Sequence, residues 1–290
     1  MPKVSVVMAV YNGEKYLKKA LESILGQTFS DFEFLIVDDA STDQTISILK
    51  SYQDPRIKIL NNSQNIGLAA SLNKALYVCK GEYIARQDAD DISLLKRLEQ
   101  QVAFMEENRE VGLLGTSWYS INEQGERLGV NYSSDADLSV HFIAHGTVLL
   151  RRSCLIKVGY YREIFRYAQD YDLWLRLGEK FKIRNLRTPL YCLRIHEDSV
   201  SQKKEREQAL YSCLALKMAE ERKVKGKDSL DDLGKAVAAR DKIIKLDGKP
   251  EKKLLSQQYF IWSQAAFALG ENRKAIKWSL RAWKKNFLSY

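Results

Sequence analysis

The stretch Gly81-Glu82-Tyr83-Ile84-Ala85-Arg86-Gln87-Asp88-Ala89-Asp90-Asp91 decides how the chain is read. Tyr83, Ile84 and Ala85 suit a buried strand. Asp88, Ala89, Asp90 and Asp91 end it, and Leu94, Leu95, Leu98, Val102 and Met105 then recur at helical spacing. A strand that ends in carboxylates places them at its carboxyl edge, where open α/β sheets bind their ligands. Asp88 and Asp90 are two positions apart, so both reach one crevice, and carboxylates that close repel unless a cation or a proton is shared. Hard oxygen donors of this kind suit Mg²⁺ or Mn²⁺, often together with substrate phosphates. The same residues also read as an acidic turn capping the next helix. The stretch alone leaves both readings open.

Working back towards the N-terminus, strand and helix alternate. Val4 to Val10 is a continuous apolar run, the mark of a buried parallel strand. Tyr11-Asn12-Gly13 breaks it, and Tyr16, Leu17, Ala20, Leu21, Ile24 and Leu25 form one helical face. A second strand, Phe32 to Val37, runs into Asp38-Asp39-Ala40-Ser41-Thr42-Asp43, followed by a short helix through Ile46, Ile48 and Leu49. Ile57 to Leu60 is a third strand; Asn65-Ile66-Gly67 leads into a helix over residues 68 to 78. Four alternations with short connections predict right-handed crossovers and a mostly parallel sheet flanked by helices, an α/β fold. In such a sheet the segments carrying Tyr11, Asp39, Gly67 and Asp88 to Asp91 all emerge at one edge.

Beyond the acidic stretch the rhythm changes. Val111 to Ile121 reads as a strand, with a turn at Asn122-Glu123-Gln124-Gly125 and a hairpin return over Arg127 to Tyr132. His145 to Leu150 and Leu190 to Ile195 read as further strands, and Asp170 to Leu177 as a short helix. From about Ser201 the chain turns helical: Ala209 to Met218, a break at Gly226 to Leu230, Leu233 to Leu246, and a turn at Asp247-Gly248-Lys249-Pro250. Tyr259 to Trp283 spaces its small residues like a helical hairpin of tetratricopeptide type. The expected division is 1–200 for the α/β domain and 201–290 for the helical region.

Composition sets the bounds. An apolar share of 45% is ordinary for a globular core. No apolar run reaches about 18 residues, so no membrane-spanning helix is expected, and the N-terminus lacks a signal-peptide layout. Cys79, Cys154, Cys192 and Cys213 form no short-spaced pair and read as reduced thiols of a cytoplasmic protein. The net charge of +9 is uneven: of 46 Lys+Arg and 37 Asp+Glu, 21 and 11 lie from Lys203 onward. Such a tail reads either as a solvated helical surface or as a contact for anionic membrane lipid or an acidic partner. Nucleic acid is excluded as a partner, because no recognised binding module accompanies the charge. No G-x-G-x-x-G or G-x-x-x-x-G-K-[ST] follows the first strand, which argues against dinucleotide and P-loop folds.

Taken in order, Val4-Ser5-Val6-Val7-Met8-Ala9-Val10-Tyr11-Asn12-Gly13, Ile36-Val37-Asp38-Asp39-Ala40-Ser41-Thr42-Asp43, Asn65-Ile66-Gly67, Gly81-Glu82-Tyr83-Ile84 and Asp88-Ala89-Asp90-Asp91 resemble a family 2 glycosyltransferase with the GT-A fold. The resemblance covers residues 3 to about 200. It implies transfer of a sugar from a nucleoside diphosphate sugar, with UDP the expected nucleotide, to a hydroxyl of a glycan or lipid-linked acceptor, with inversion. It also implies Mg²⁺ or Mn²⁺. A setting in bacterial surface polysaccharide assembly, at the inner face of the membrane, follows by analogy alone.

The resemblance assigns roles. Tyr11 lies against the base, Asp39 accepts from a base N–H, and Gly67 lets the backbone approach the nucleotide. Asp88 binds ribose or a metal-bound water, Asp90 ligates the metal, and Asp91 supports them. Asp38 is structural and Asp43 caps a helix. Ala168-Gln169-Asp170-Tyr171-Asp172-Leu173-Trp174 resembles the general-base motif, with Asp170 as base and Gln169 where many members have Glu. His145 faces the acceptor or is structural. Arg194-Ile195-His196 with Ser199 and Ser201 resembles the segment closing over the diphosphate, with Arg194 on phosphate and His196 in the metal or phosphate shell. A catalytically silent nucleotide-sugar-binding module acting through its helical tail is the alternative. A sugar-1-phosphate nucleotidyltransferase is set aside, because Ala9 to Gly13 is not its glycine-rich, arginine-containing loop.

Overall fold

The computed structural model of the 290-residue chain describes residues 1–133, 143–196, 203–231, 248–268 and 272–287. They fall into two compact units. One is built from Met1–Asp135, Ile143–Tyr161 and Lys180–Ile195, the other from Arg162–Glu179 and His196–Tyr290. The division is thus not a single cut near residue 200, because Arg162–Glu179 goes with the helices that follow. Apolar burial is the cause: Phe165 is fully buried in one cluster with Leu210, Leu214 and Met218, and Ile164, Tyr171 and Leu175 pack on it.

The first unit is a sheet with helices. In chain order it carries β1 (Val4–Val10), α1 (Leu17–Leu25), β2 (Phe32–Asp38), α2 (Thr45–Lys50), β3 (Ile57–Asn61), α3 (Leu68–Val78), β4 (Tyr83–Arg86), β5 (Ile92–Ser93), α4 (Arg97–Glu107), β6 (Val111–Ile121), β7 (Arg127–Asn131), β8 (Leu149–Arg151), α5 (Arg152–Val158) and β9 (Lys182–Arg194). The strand order is β3-β2-β1-β4-β8-β6-β9-β5, with β7 paired to β6. β1 to β4 are mutually parallel, as the alternation predicts. β8 runs antiparallel to β4 and β6, and β9 runs parallel to β6.

Burial follows the apolar pattern. Every residue of β2 is buried, and α1 sinks Leu17, Ala20, Leu21 and Ile24. α4 sinks Leu98, Val102 and Met105 but begins only at Arg97, which leaves Leu95 exposed before it. Register levels the strand ends: Val10 pairs with Asp38, and Asp38 with Asn61. β4 stops earlier, with Arg86 opposite Val7, so the acidic residues run on beside the end of β1. The second half departs from expectation in two places. His145–Thr147 forms a 3₁₀ turn rather than strand, because Thr147 donates to Ala144 O through both its N–H (3.0 Å) and its hydroxyl (2.8 Å). The strand is only Leu149–Arg151, and α5 follows it directly, ended by Gly159 at φ 82°.

The second unit holds α6 (Gln169–Gly178), α7 (Glu205–Lys225), α8 (Gly248–Ala268) and α9 (Asn272–Phe287) among its described residues. α7 is longer than its apolar face suggests and ends at Gly226, whose φ of 74° only glycine adopts without strain. Ion pairs weld α6 to α7: Arg222 binds Glu179 at 2.7 Å, and Arg162 and Arg222 share Asp228. The expected turn at Gly248-Lys249-Pro250 is instead the first turn of α8, where proline's missing N–H forfeits no helical bond. α8 and α9 pair as the expected hairpin. Trp278 stacks on Tyr259 with centroids 5.6 Å apart, Ser256 Oγ donates to Ala282 O, and Ser263 Oγ donates to Ala275 O. The helix expected over Leu233 to Leu246, together with Ser199 and Ser201, lies outside the described residues.

All four cysteines are unpaired thiols. Cys79, Cys154 and Cys192 are buried, and burial pushes the Cys79 thiol up to about 11 and that of Cys213 to about 12. No described helix is long and apolar enough to cross a membrane.

Candidate active site

The first unit gathers its polar groups at the carboxyl edge of β1 to β4. The segments after β1 and β2 are stitched together. Asn12 N donates to Ser41 Oγ (2.9 Å), Thr42 N to Asn12 Oδ1 (2.8 Å), Gly13 N to Thr45 Oγ1 (2.8 Å) and Glu14 N to Asp43 Oδ2 (3.0 Å). Asn12 and Ala40 hold left-handed backbone to make these bonds. Asp43 also accepts from Thr45 N, and Asp38 from Ser41 N, so both carboxylates fasten their own turn. Tyr11 stands out of this lattice, 51% exposed, with a flat ring available for stacking.

Asp39 is only 4% exposed. Its Oδ1 accepts from Asn62 Nδ2 (2.8 Å) and Ile66 N (2.9 Å), and its Oδ2 accepts from Gly67 N (2.9 Å). A carboxylate offers about four lone-pair directions, so one on Oδ2 remains. Asp39 thus ties the end of β2 to the segment that starts α3. Gly67 caps that helix at φ 89° and ψ 165°, and a Cβ there would meet nothing within 4 Å. The position therefore needs glycine for its backbone angle, and the space beside it is open.

The acidic stretch rests on a buried polar network. Arg86 is fully buried, gives Nη2 to Asp88 Oδ1 at 2.6 Å and gives Nη1 to Gln87 O. Arg97, also fully buried, donates to Ser93 Oγ, Arg86 O and Val148 O and lies 5.0 Å over the Tyr191 ring. Burial drags the Arg97 guanidinium down to about 10, still charged at neutral pH. The Tyr191 hydroxyl accepts from Asp88 N (3.2 Å), pinning the start of the acidic turn. Asp91 Oδ1 accepts from Arg194 N at 2.7 Å. Burial raises the Asp88 carboxyl above its ordinary range against the pull of Arg86, and the Asp90 charge adds to the rise. Burial, then the charges of Asp90 and Asp88, push Asp91 well above that range. Three carboxyls are held together here at an electrostatic cost that a cation relieves.

Arg194, expected on a phosphate, is put to another use. It is 2% exposed, and its guanidinium donates to Asp90 O (2.7 Å), Asn122 O (2.8 Å) and Glu123 O (2.9 Å) while lying over the Tyr16 ring. It fastens the backbone of Asp90 to the β6–β7 turn. Only Nη2 lacks a hydrogen-bond partner.

Three residues outside the expected set complete this edge: Arg97, Tyr191 and Gly146. A Cβ on Gly146 would fall 2.1 Å from the Tyr191 hydroxyl and 2.8 Å from Asp88 Oδ2. His145 beside it binds the Tyr161 hydroxyl through Nε2 at 2.8 Å, and burial, with the nearby Arg86 charge, keeps the imidazole neutral by lowering its pKa well below the usual value. No local pattern marks Tyr191 and Gly146, because each meets a segment remote in sequence, and Arg97 joins nearby Ser93 to remote Val148.

Asp170 and His196 belong to the second unit. Asp170 lies in the first turn of α6, after Ala168 at φ 53°, and its Oδ1 accepts from Tyr171 N at 2.9 Å. Asp172 is fully buried and accepts from Arg176 at 2.9 Å, with Arg162 at 3.7 Å, so it serves the ion-pair network of its unit. Asp170 keeps a partly exposed carboxylate. His196, half-buried, follows the end of β9.

Among the described residues no three His, Cys, Asp or Glu side chains are gathered as a protein-only metal cage requires. The donor set that is present, Asp90 with the remaining oxygen of Asp88, fits a metal bound by one or two carboxylates and otherwise by phosphate and water, the usual manner of Mg²⁺.

The family model described as Glycosyl transferase family 2 matches residues 5–166. The putative glycosyltransferase EpsE of Bacillus subtilis (strain 168) is 41% identical over 208 residues, 68% of this chain and 74% of that protein. The Escherichia coli UDP-Glc:alpha-D-GlcNAc-diphosphoundecaprenol beta-1,3-glucosyltransferase WfaP is 34% identical over 216 residues, 71% of this chain and 83% of that protein. Among solved structures, S. aureus TarS in complex with UDP superposes with a TM-score of 0.63 at 20% identity, over 99% of this chain and 92% of that one, a likeness of fold.

Proposed function

From the premise that this chain belongs to glycosyltransferase family 2, we propose that it moves a sugar, with inversion, from a UDP-sugar to a hydroxyl of a glycan or lipid-linked acceptor. The observation that carries the reading is the acidic edge: Asp88 to Asp91 fixed by buried arginines and Tyr191 where β1 to β4 end, in the sheet whose β2 is followed directly by Asp39. UDP is favoured because TarS binds it and WfaP takes a UDP-sugar. WfaP's diphosphoundecaprenol-borne acceptor likewise favours a lipid-linked acceptor, and so work at a membrane face.

The residues divide the work. The exposed Tyr11 ring stacks on the base, and the remaining Asp39 lone pair accepts its N–H. Gly67 leaves room for the nucleotide. Asp90, with Asp88, would hold Mg²⁺ or Mn²⁺, which would supply positive charge against the departing diphosphate. Arg194 and Tyr191 keep that turn in place. Asp170 accepts the proton of the acceptor hydroxyl. The oxygen so released attacks the anomeric carbon from the face opposite the diphosphate, which leaves with the bonding electron pair. His196 is assigned to the metal or phosphate shell by resemblance.

Calorimetry with UDP, GDP, CDP and dTDP, each with Mn²⁺ and with EDTA, tests this. Metal-dependent binding of UDP, lost in Asp90→Ala, is expected. Absence of binding to all four would mean a degenerate cleft and would turn the reading towards the helical tail as the working surface.

A further inference from the structure

Asp39 offers a ligand very little of its carboxylate. Asn62 Nδ2 and Ile66 N fill Oδ1 at 2.8 and 2.9 Å, and Gly67 N takes one side of Oδ2 at 2.9 Å. Of about four lone-pair directions, only the last one on Oδ2 is left.

Two of these donors are backbone N–H groups of the segment before α3. The third, Asn62, is a side chain with a choice, because an amide presents a donor or an acceptor according to which way it faces. Its surroundings remove the choice. Lys74, on α3, gives Nζ to Asn62 Oδ1 at 2.7 Å and to Asn61 O at 2.7 Å. An ammonium only donates and a carboxylate only accepts, so the amide oxygen must face Lys74 and the amide nitrogen Asp39. The second Nδ2 hydrogen goes to the hydroxyl of fully buried Ser71 at 2.9 Å, and Asn62 N donates to Asp38 O at 2.9 Å. Asn62 therefore bridges a cation and an anion, and both its backbone and its amide are fixed.

A lone pair so isolated suits one kind of base edge. Uracil carries a single ring N–H between two carbonyl groups. Guanine presents two N–H groups side by side, which a carboxylate matches only with both oxygens open, and here Oδ1 is full. We infer that Asn62, set by Lys74, is the positioning residue that restricts Asp39 to one imide N–H and so selects a uracil-type base over guanine. Both residues act through Asp39, on the premise that this edge holds a nucleotide.

The test is calorimetry of the full chain in Mn²⁺ with UDP, GDP and 3-methyl-UDP, which lacks the ring N–H. The wild type should bind UDP at least about tenfold more tightly than the other two. Asn62→Leu, close in size, should weaken UDP about tenfold and the other two by less than about twofold. Lys74→Met should shift UDP alone in the same direction, and Lys74→Arg, which still donates, should retain most of the affinity. The ratio of UDP to 3-methyl-UDP affinity is read within each protein, so a loss of folded fraction cancels from it. Equal weakening of all three nucleotides would make Asn62 merely structural and overturn the inference. So would GDP binding as tightly as UDP in the wild type, or UDP binding unchanged in Asn62→Leu. A wild type that binds none of the three would overturn the nucleotide reading itself, a different result from binding that ignores the ring N–H.

Discussion

Gly146 sets the tightest tolerance at the acidic edge. An added methyl must displace either the Tyr191 hydroxyl or Asp88, and Tyr191 is itself held under Arg97. Gly146→Ala should therefore cost about 1–3 kcal/mol of stability through overpacking. It should also weaken metal-dependent UDP binding more than a remote substitution of equal thermal cost; urea unfolding and calorimetry on the same protein check both. His145 gives a pH signature. Its pKa is lower folded than unfolded, so the native state holds fewer protons. Stability is then complete above the unfolded value near 6.5 and falls as pH drops through it. His145→Gln should lose less melting temperature than the wild type between about pH 8 and pH 5, as scanning calorimetry would reveal. Tyr11, Asp39, Gly67 and the acidic run were legible as a set because each ends or follows a strand. Tyr191 and Gly146 were not, since they meet segments far along the chain, and nothing local marked the reach of Arg97 to Val148.

At the scale of the element, α6 sets the proposed base and an architectural carboxylate within one turn. Asp170 and Asp172 read alike in the sequence, either able to cap. Folding distinguishes them: Asp172 is fully buried on Arg176, while Asp170 remains partly exposed. Asp172→Asn breaks a buried ion pair and should cost about 3–5 kcal/mol. Asp170→Asn should leave the melting temperature within about a degree and abolish sugar transfer while sparing UDP binding. Near-full transfer by Asp170→Asn would remove it as the base. The same scale shows where pattern reading slips. Residues His145 to Leu150 have strand composition, yet Thr147 closes a turn on Ala144. Gly248 and Pro250 look like punctuation, yet they open α8, where both are tolerated.

For the whole molecule, the interleaved division has a direct consequence. A chain cut after Ile195 retains Arg162–Glu179 but loses α7, which covers Phe165 and Leu175. Such a fragment should bind a hydrophobic dye and aggregate in gel filtration where the full chain does not; a monomeric, dye-silent fragment would refute the division. The strand–helix pattern pointed to an α/β domain over 1–200 and a helical region over 201–290, but which helix joins which core depends on apolar surfaces distant in sequence.

The thiols make the molecule practical to instrument. With Cys79, Cys154 and Cys192 buried and the Cys213 sulfur held at about 12, the native cysteines present almost no thiolate at neutral pH. Maleimide dyes should pass them by. A single cysteine placed at an exposed site such as Leu280 would take one fluorophore without prior removal of any native thiol.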